Sequence, residues 1–130
     1  MRAFEPGRNL LSTDTTARLM VEIARRQCVN PPACDEMLAL LARDPFKGSA
    51  ASDEQAQEFT GKAVPRGSKL WSKAGWTSET RHDAAYVELP DGRKWVLVIF
   101  TVGHSADPDL IAAVARLLFA AEGKEAKEER

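Results

Sequence analysis

The stretch Leu70-Trp71-Ser72-Lys73-Ala74-Gly75-Trp76-Thr77, followed by Thr80-Arg81-His82-Asp83-Ala84-Ala85-Tyr86-Val87, carries the residue types best suited to chemistry. A lysine on a strand, then a small residue and a glycine, can form one wall of an acyl-transfer site. Small residues let a substrate lie against the strand edge. A backbone N–H just beyond the glycine can point at a developing oxyanion, and the ammonium supplies fixed positive charge. Taken alone, Lys-Ala-Gly also describes a strand that ends in a glycine turn. Arg81 can stand as a solvated charge at a strand end.

Other reactive side chains give less. Cys28 and Cys34 sit close together, but they and the distant His82 and His104 do not assemble four zinc ligands, so no metal is expected. The two cysteines can close a small disulfide loop in an oxidising compartment, or remain two thiols at a helix junction. His82 and His104 read as surface residues, and no Gly-x-Ser-x-Gly elbow accompanies them. Ser72 precedes the lysine, but no nucleophile is expected there. No serine is followed by lysine three positions later, and no Ser-x-Asn occurs.

The elements that must position these residues are legible in the pattern. Residues 10–27 predict a first helix, capped by Ser12 or Thr13, with Leu19, Met20, Ile23 and Ala24 at helical spacing. Asn30 caps a second helix with Pro31 at its first position and an apolar face of Met37, Leu38, Leu40 and Leu41. Arg43-Asp44-Pro45 stops it. Ser52-Asp53-Glu54-Gln55 fits a capping box for a short helix through about Phe59. Strands follow at Lys69–Ser72, Ala84–Leu89 and Lys94–Val102, the last two joined by a Pro90-Asp91-Gly92-Arg93 hairpin. The apolar run Trp95–Phe100 implies a strand covered on both faces. Asp107-Pro108 opens a final helix with the stripe Leu110, Ile111, Val114, Leu117 and Leu118. Helices, then an antiparallel meander, then a helix across it make an α+β chain.

Several of these features, in order, resemble the C-terminal part of class A β-lactamases and related serine hydrolases, the β-lactamase/penicillin-binding protein superfamily. Asn9-Leu10-Leu11-Ser12-Thr13-Asp14-Thr15-Thr16-Ala17-Arg18-Leu19 looks like the family's helix-opening segment, and Pro31–Leu41 like the next helix. Lys73-Ala74-Gly75 resembles the family's Lys-Thr-Gly strand, and Thr80–Asp83 its Thr-x-x-Asp turn. The resemblance covers about residues 5–120. It implies a β-lactamase/transpeptidase-like antiparallel sheet with flanking helices, and a chain that is part of a larger fold. By resemblance, Lys73 is the lysine of the site wall and the Trp76 backbone N–H the strand half of the oxyanion hole. Ala74 and Gly75 line the substrate, and Arg81 stands where some members bind the substrate carboxylate. Ala74 departs from the usual Thr or Ser, which removes one hydroxyl bond to substrate.

Glu5-Pro6-Gly7-Arg8-Asn9 matches the Glu-Pro-x-x-Asn element literally. In class A enzymes that glutamate is the deacylation base, through a water held with the asparagine. Only Leu10 and Leu11 separate Asn9 from the Thr-rich cap, fewer than is usual, so the stretch also reads as a plain loop. The Ser-x-x-Lys nucleophile is missing from these residues. The resemblance thus leaves two functions open: part of a serine hydrolase acting on a β-lactam, peptide or ester through an acyl-enzyme, or a non-catalytic binding module that keeps the scaffold.

The 130 residues, 44% hydrophobic and 28% charged, fit one domain. It is expected to comprise a helical segment 1–67, strands within 68–103 and a helix over 107–122. A net charge of −1 gives no general drive toward nucleic acid or an anionic membrane. The apolar run Trp95–Phe100 is far short of the ~20 residues a membrane helix needs. Residues 1–6 form no signal segment, although the resemblance implies a periplasmic or secreted protein. No cofactor is expected. Apolar surface left by an absent N-terminal part of the fold could drive homodimerisation or aggregation.

Overall fold

The computed structural model describes residues 10–47 and 54–128. Helix α1 (Thr13–Ala24) starts where Ser12 Oγ accepts the Thr15 N–H at 3.1 Å. It ends three residues earlier than expected. The Arg25 and Arg26 amides close on Val21 and Ile23, and Arg26 turns left-handed with φ 62°. Met20 and Ile23 are buried, whereas Leu19 is half exposed and does not join the core.

Helix α2 (Pro31–Leu41) is capped by Asn30, whose Oδ1 accepts the Ala33 N–H at 2.9 Å. Its expected apolar face is partly covered: Met37, Leu38 and Leu41 are half-buried and Leu40 is exposed, while the fully buried residue is Cys34. The helix runs directly into β1 (Ala42–Arg43), a two-residue strand that local pattern does not signal. The short helix α3 (Glu54–Gln57) and a 3-10 turn (Phe59–Ala63) follow. The Ser52-Asp53 half of the capping box lies outside the described residues.

The sheet has the order β1-β2-β3-β4 and is antiparallel throughout. Strand β2 (Lys69–Trp76) continues four residues past the expected Ser72, and β3 (Thr80–Glu88) begins four before the expected Ala84. Cross-strand pairing carries both past their polar, weakly β-forming residues. A turn in which Thr77 Oγ1 accepts the Glu79 and Thr80 amides closes the hairpin. Strand β4 (Lys94–Val102) has its expected bounds, and Gly92, at φ 90°, forms the predicted turn into it.

Strand alternation sorts the sheet into two faces. Leu70, Ala85, Val87 and Leu97 pack with Ala115 and Phe119 of α4 (Leu110–Glu128), while Ala74 joins Phe59 and Ile111. The opposite face presents Tyr86 and Val96 to Val21 and Ala24 of α1. Asp107 caps α4 by accepting the Asp109 and Leu110 amides. Its buried side is Ile111, Ala112, Ala115 and Phe119; of the predicted stripe Ile111 is buried and Leu110 and Val114 are half-buried, while Leu117 and Leu118 are exposed. The small Ala112 and Ala115 face the sheet beside Ile111 and Phe119, which leaves Leu117 and Leu118 on the outward side.

Candidate functional site

Strand β1 covers β2 only at Leu70 and Trp71. Beyond that point the outer edge of β2 has no strand partner among the described residues. The Ala74 N–H donates to Gln55 Oε1 at 3.3 Å, away from β3. Backbone alternation therefore directs the Trp76 N–H outward along the same edge, while Thr77 N turns back to bond Thr80 O. The candidate oxyanion donor thus faces the open side.

Lys73 is exposed, and its Nζ donates to the outward carbonyl of Ala74, so the ammonium lies over this edge. A Cβ placed on Gly75 meets nothing within 4 Å. Glycine is not required there by the packing of the described residues. The absence of a side chain leaves room beside the strand.

Arg81 pairs with Trp76 across the ladder and points to the α4 side, the face opposite the Lys73 side chain. It is not the solvated strand-end charge that one reading allowed. It is 7% exposed, its guanidinium lies 4.0 Å from the Phe59 ring centroid, and it is 3.9 Å from Glu54. Its Nε has no partner among the described residues. The ring under it is itself constrained, since Phe59 adopts φ 52° and packs 5.5 Å from the half-exposed Trp76 ring.

Asp83 is the residue that sequence reading passed over as part of a turn. It is 1% exposed, and its Oδ2 accepts the Thr60 N–H at 3.0 Å. Burial pushes its carboxyl up, opposed by the Thr60 bonds. Oδ1 and the nearby Ser72 Oγ are buried without partners among the described residues. The signal was available: Arg81 and Asp83 occupy the same alternating face as the apolar Ala85 and Val87.

His82 is half-buried rather than a plain surface residue. Its ring packs 4.6 Å from Phe100, and Nδ1 lies 3.1 Å from the Thr101 N–H it accepts. His104 is exposed. Glu5 and Asn9 lie outside the described residues. Among the described residues, no three His, Cys, Asp or Glu side chains gather to hold a metal ion, and no helix is long and apolar enough to cross a membrane.

The described residues form an antiparallel sheet between helices, open at a lysine-bearing edge. A profile of the Beta-lactamase enzyme family matches residues 1–121, and the chain belongs to that family. Among solved structures it is similar to a β-lactamase from Sphaerobacter thermophilus DSM 20745, with 21% identity over 95% of this chain and a TM-score of 0.69. It is similar to PBP-A at 20% identity over 84% of the chain, TM-score 0.65. A class A β-lactamase representative from Bacteroides cellulosilyticus DSM 14838 aligns at 14% identity over 84% of the chain, also at 0.65. The chain spans 47%, 38% and 40% of those three proteins, respectively. No curated protein matches it.

Proposed function

We propose that this chain supplies the strand-side wall of a serine acyl-transfer site that acts on β-lactams or related amides and esters. The observation that carries the reading is the open edge of β2, where the outward Trp76 N–H and the Lys73 ammonium face the same space. In the proposed reaction a serine oxygen attacks the carbonyl carbon. Negative charge moves to the carbonyl oxygen, where the Trp76 N–H meets it and Lys73 adds field. Collapse expels the amine or alcohol and leaves an acyl-enzyme, which water cleaves. Glu5, with Asn9, would take the proton of that water. Arg81, buried over Phe59 behind Trp76, would add positive charge toward the substrate carboxylate from the α4 side, and Ala74 and Gly75 would line the substrate.

The serine must come from outside these 130 residues, since they contain no Ser-x-x-Lys. That same observation favours a second reading, a binding module without chemistry. The proposed substrates are small molecules or peptides, and the proposed location is the periplasm or exterior.

One experiment separates the two readings. Labelled penicillin is incubated with the chain alone, and with the chain fused behind the Ser-x-x-Lys-bearing portion of a class A β-lactamase. Intact mass spectrometry is expected to show no adduct on the chain alone and one acyl group on the fusion. Lys73→Ala in the fusion should slow acylation by about 100-fold. An adduct on the chain alone defeats the external nucleophile; a folded fusion that never acylates leaves the binding module.

A further inference from the structure

Cys28 and Cys34 flank the turn between α1 and α2. Cys34 is fully buried, and its thiol donates to the backbone carbonyl of Cys28 at 2.8 Å. Cys28 is half-buried, and the two cysteines are not bridged in this structure. The turn that brings them together is strained. Val29, between the cysteines, has φ 62°, a conformation that a β-branched residue resists. Such strain persists only where the surroundings over-determine it.

They do so here from both sides. Arg26 Nε donates to Asp35 Oδ1 at 2.8 Å, and its Nη2 donates to Oδ2, clamping the two ends of the turn. The Gln27 and Cys28 amides both bond the Glu22 carbonyl, and Asn30 caps α2 through Ala33. These contacts fix the backbone of Cys28 against the sulfur of Cys34.

We propose that Cys28 and Cys34 form a modification site, an intramolecular disulfide made by exchange with a disulfide-bearing oxidant. Exposure orders the steps. Cys28, as thiolate, attacks one sulfur of the oxidant, whose S–S bond breaks and releases the first thiol. Cys34 leaves the Cys28 carbonyl, gives up its proton and attacks the Cys28 sulfur, expelling the second thiol. The protein loses two S–H hydrogens, and the oxidant is reduced to two thiols that carry them. The bridge staples the start of α2, the helix that runs into β1 and so onto β2 beside Lys73. It does not depend on the acyl-transfer reading.

The test equilibrates the full chain in glutathione buffers from reduced to oxidised, quenches with acid, and alkylates with N-ethylmaleimide in denaturant. Denaturant keeps burial from protecting Cys34. In oxidised buffer, the expected product is a monomer two hydrogens lighter, with no maleimide and an internal bridge in tryptic fragment 27–43. It should melt about 5 °C above the reduced chain. Cys28→Ser should take one maleimide at every ratio and lose the redox dependence of melting. Two maleimides on the monomer in oxidised buffer would overturn the proposal. So would a stable glutathione adduct beside an alkylated Cys34, a disulfide-linked dimer on a non-reducing gel, or a bridged monomer that melts lower than the reduced one.

Discussion

Asp83 holds its carboxylate against the Thr60 amide at the bottom of the α4-side face. Burial raises its pKa in the fold, so between its unfolded value near ~3.9 and that raised value the native state binds more protons than the unfolded one. Stability from this residue is therefore present below about pH 4 and falls as pH rises through the window. Asn at 83 keeps an oxygen for Thr60 and cannot ionise. Asp83→Asn is expected to equal or exceed the parent in urea unfolding at pH 7, with the difference vanishing near pH 3. A loss of more than about 1 kcal/mol at pH 7 would mean that the charge itself is needed. The Tyr86–Glu88 bond on the other face has the opposite sign. The 2.7 Å bond from the Tyr86 hydroxyl, helped by Lys94 and Lys69, lowers the Glu88 pKa, while burial first and then Glu88 push Tyr86 up to about 12. The Glu88 contribution is present above its unfolded pKa and lost as pH falls through the depressed one. Tyr86→Phe should therefore shift the Glu88 carboxyl titration upward, read by NMR, and cost about 1 kcal/mol at neutral pH that disappears in acid.

At the scale of elements, two glycines separate packing from function. A Cβ on Gly61, in the 3-10 turn, would stand 1.8 Å from the Ala56 carbonyl oxygen, a backbone atom of α3. Gly61→Ala must push α3 from the turn and is expected to cost about 2 kcal/mol in chemical denaturation. Gly75→Ala meets nothing, so its melting temperature should match the parent, yet its methyl occupies the space beside the Lys73 edge. In the acylating fusion it should slow adduct formation; equal rates in parent and variant would remove substrate from that space. The same contrast explains what was legible in the residues. Ser12, Asn30, Asp107 and Gly92 act on neighbours within a few positions, and the caps and turn they predict are all present. Lys73–Trp76 and Thr80–Asp83 are strand because each pairs with the other, which local propensity does not express. Phe59 under Arg81 and Thr60 on Asp83 join positions more than twenty apart, and no motif spacing announces them. Candidate chemistry was visible as Lys73-Ala74-Gly75, whereas its support from Gln55, Phe59 and Asp83 required the fold.

Across the whole molecule, the outer edge of β4 is the surface on which association in solution is expected. Register with β3 turns the backbone groups of Arg81, Asp83 and Ala85 toward β4, because His82 and Ala84 pair inward with β2. In β4 the groups of Val96, Val98 and Phe100 accordingly face away from the sheet, with no strand beside them among the described residues. From Trp95 to Val102 this edge carries no charge and no proline, the features that usually blunt an exposed edge. Leu117 and Leu118 of α4 add exposed apolar surface. The isolated chain is therefore expected to self-associate, with sedimentation velocity showing a weight-average mass that rises with concentration. Val98→Pro deletes one outward N–H without removing a bond to β3, a substitution that edge strands tolerate. It should hold the chain near monomer mass at concentrations where the parent associates, with the same far-UV circular dichroism. If the folded proline variant associates as strongly as the parent, the contact lies on the α4 leucines instead. Leu117→Lys would then lower the mass where Val98→Pro does not.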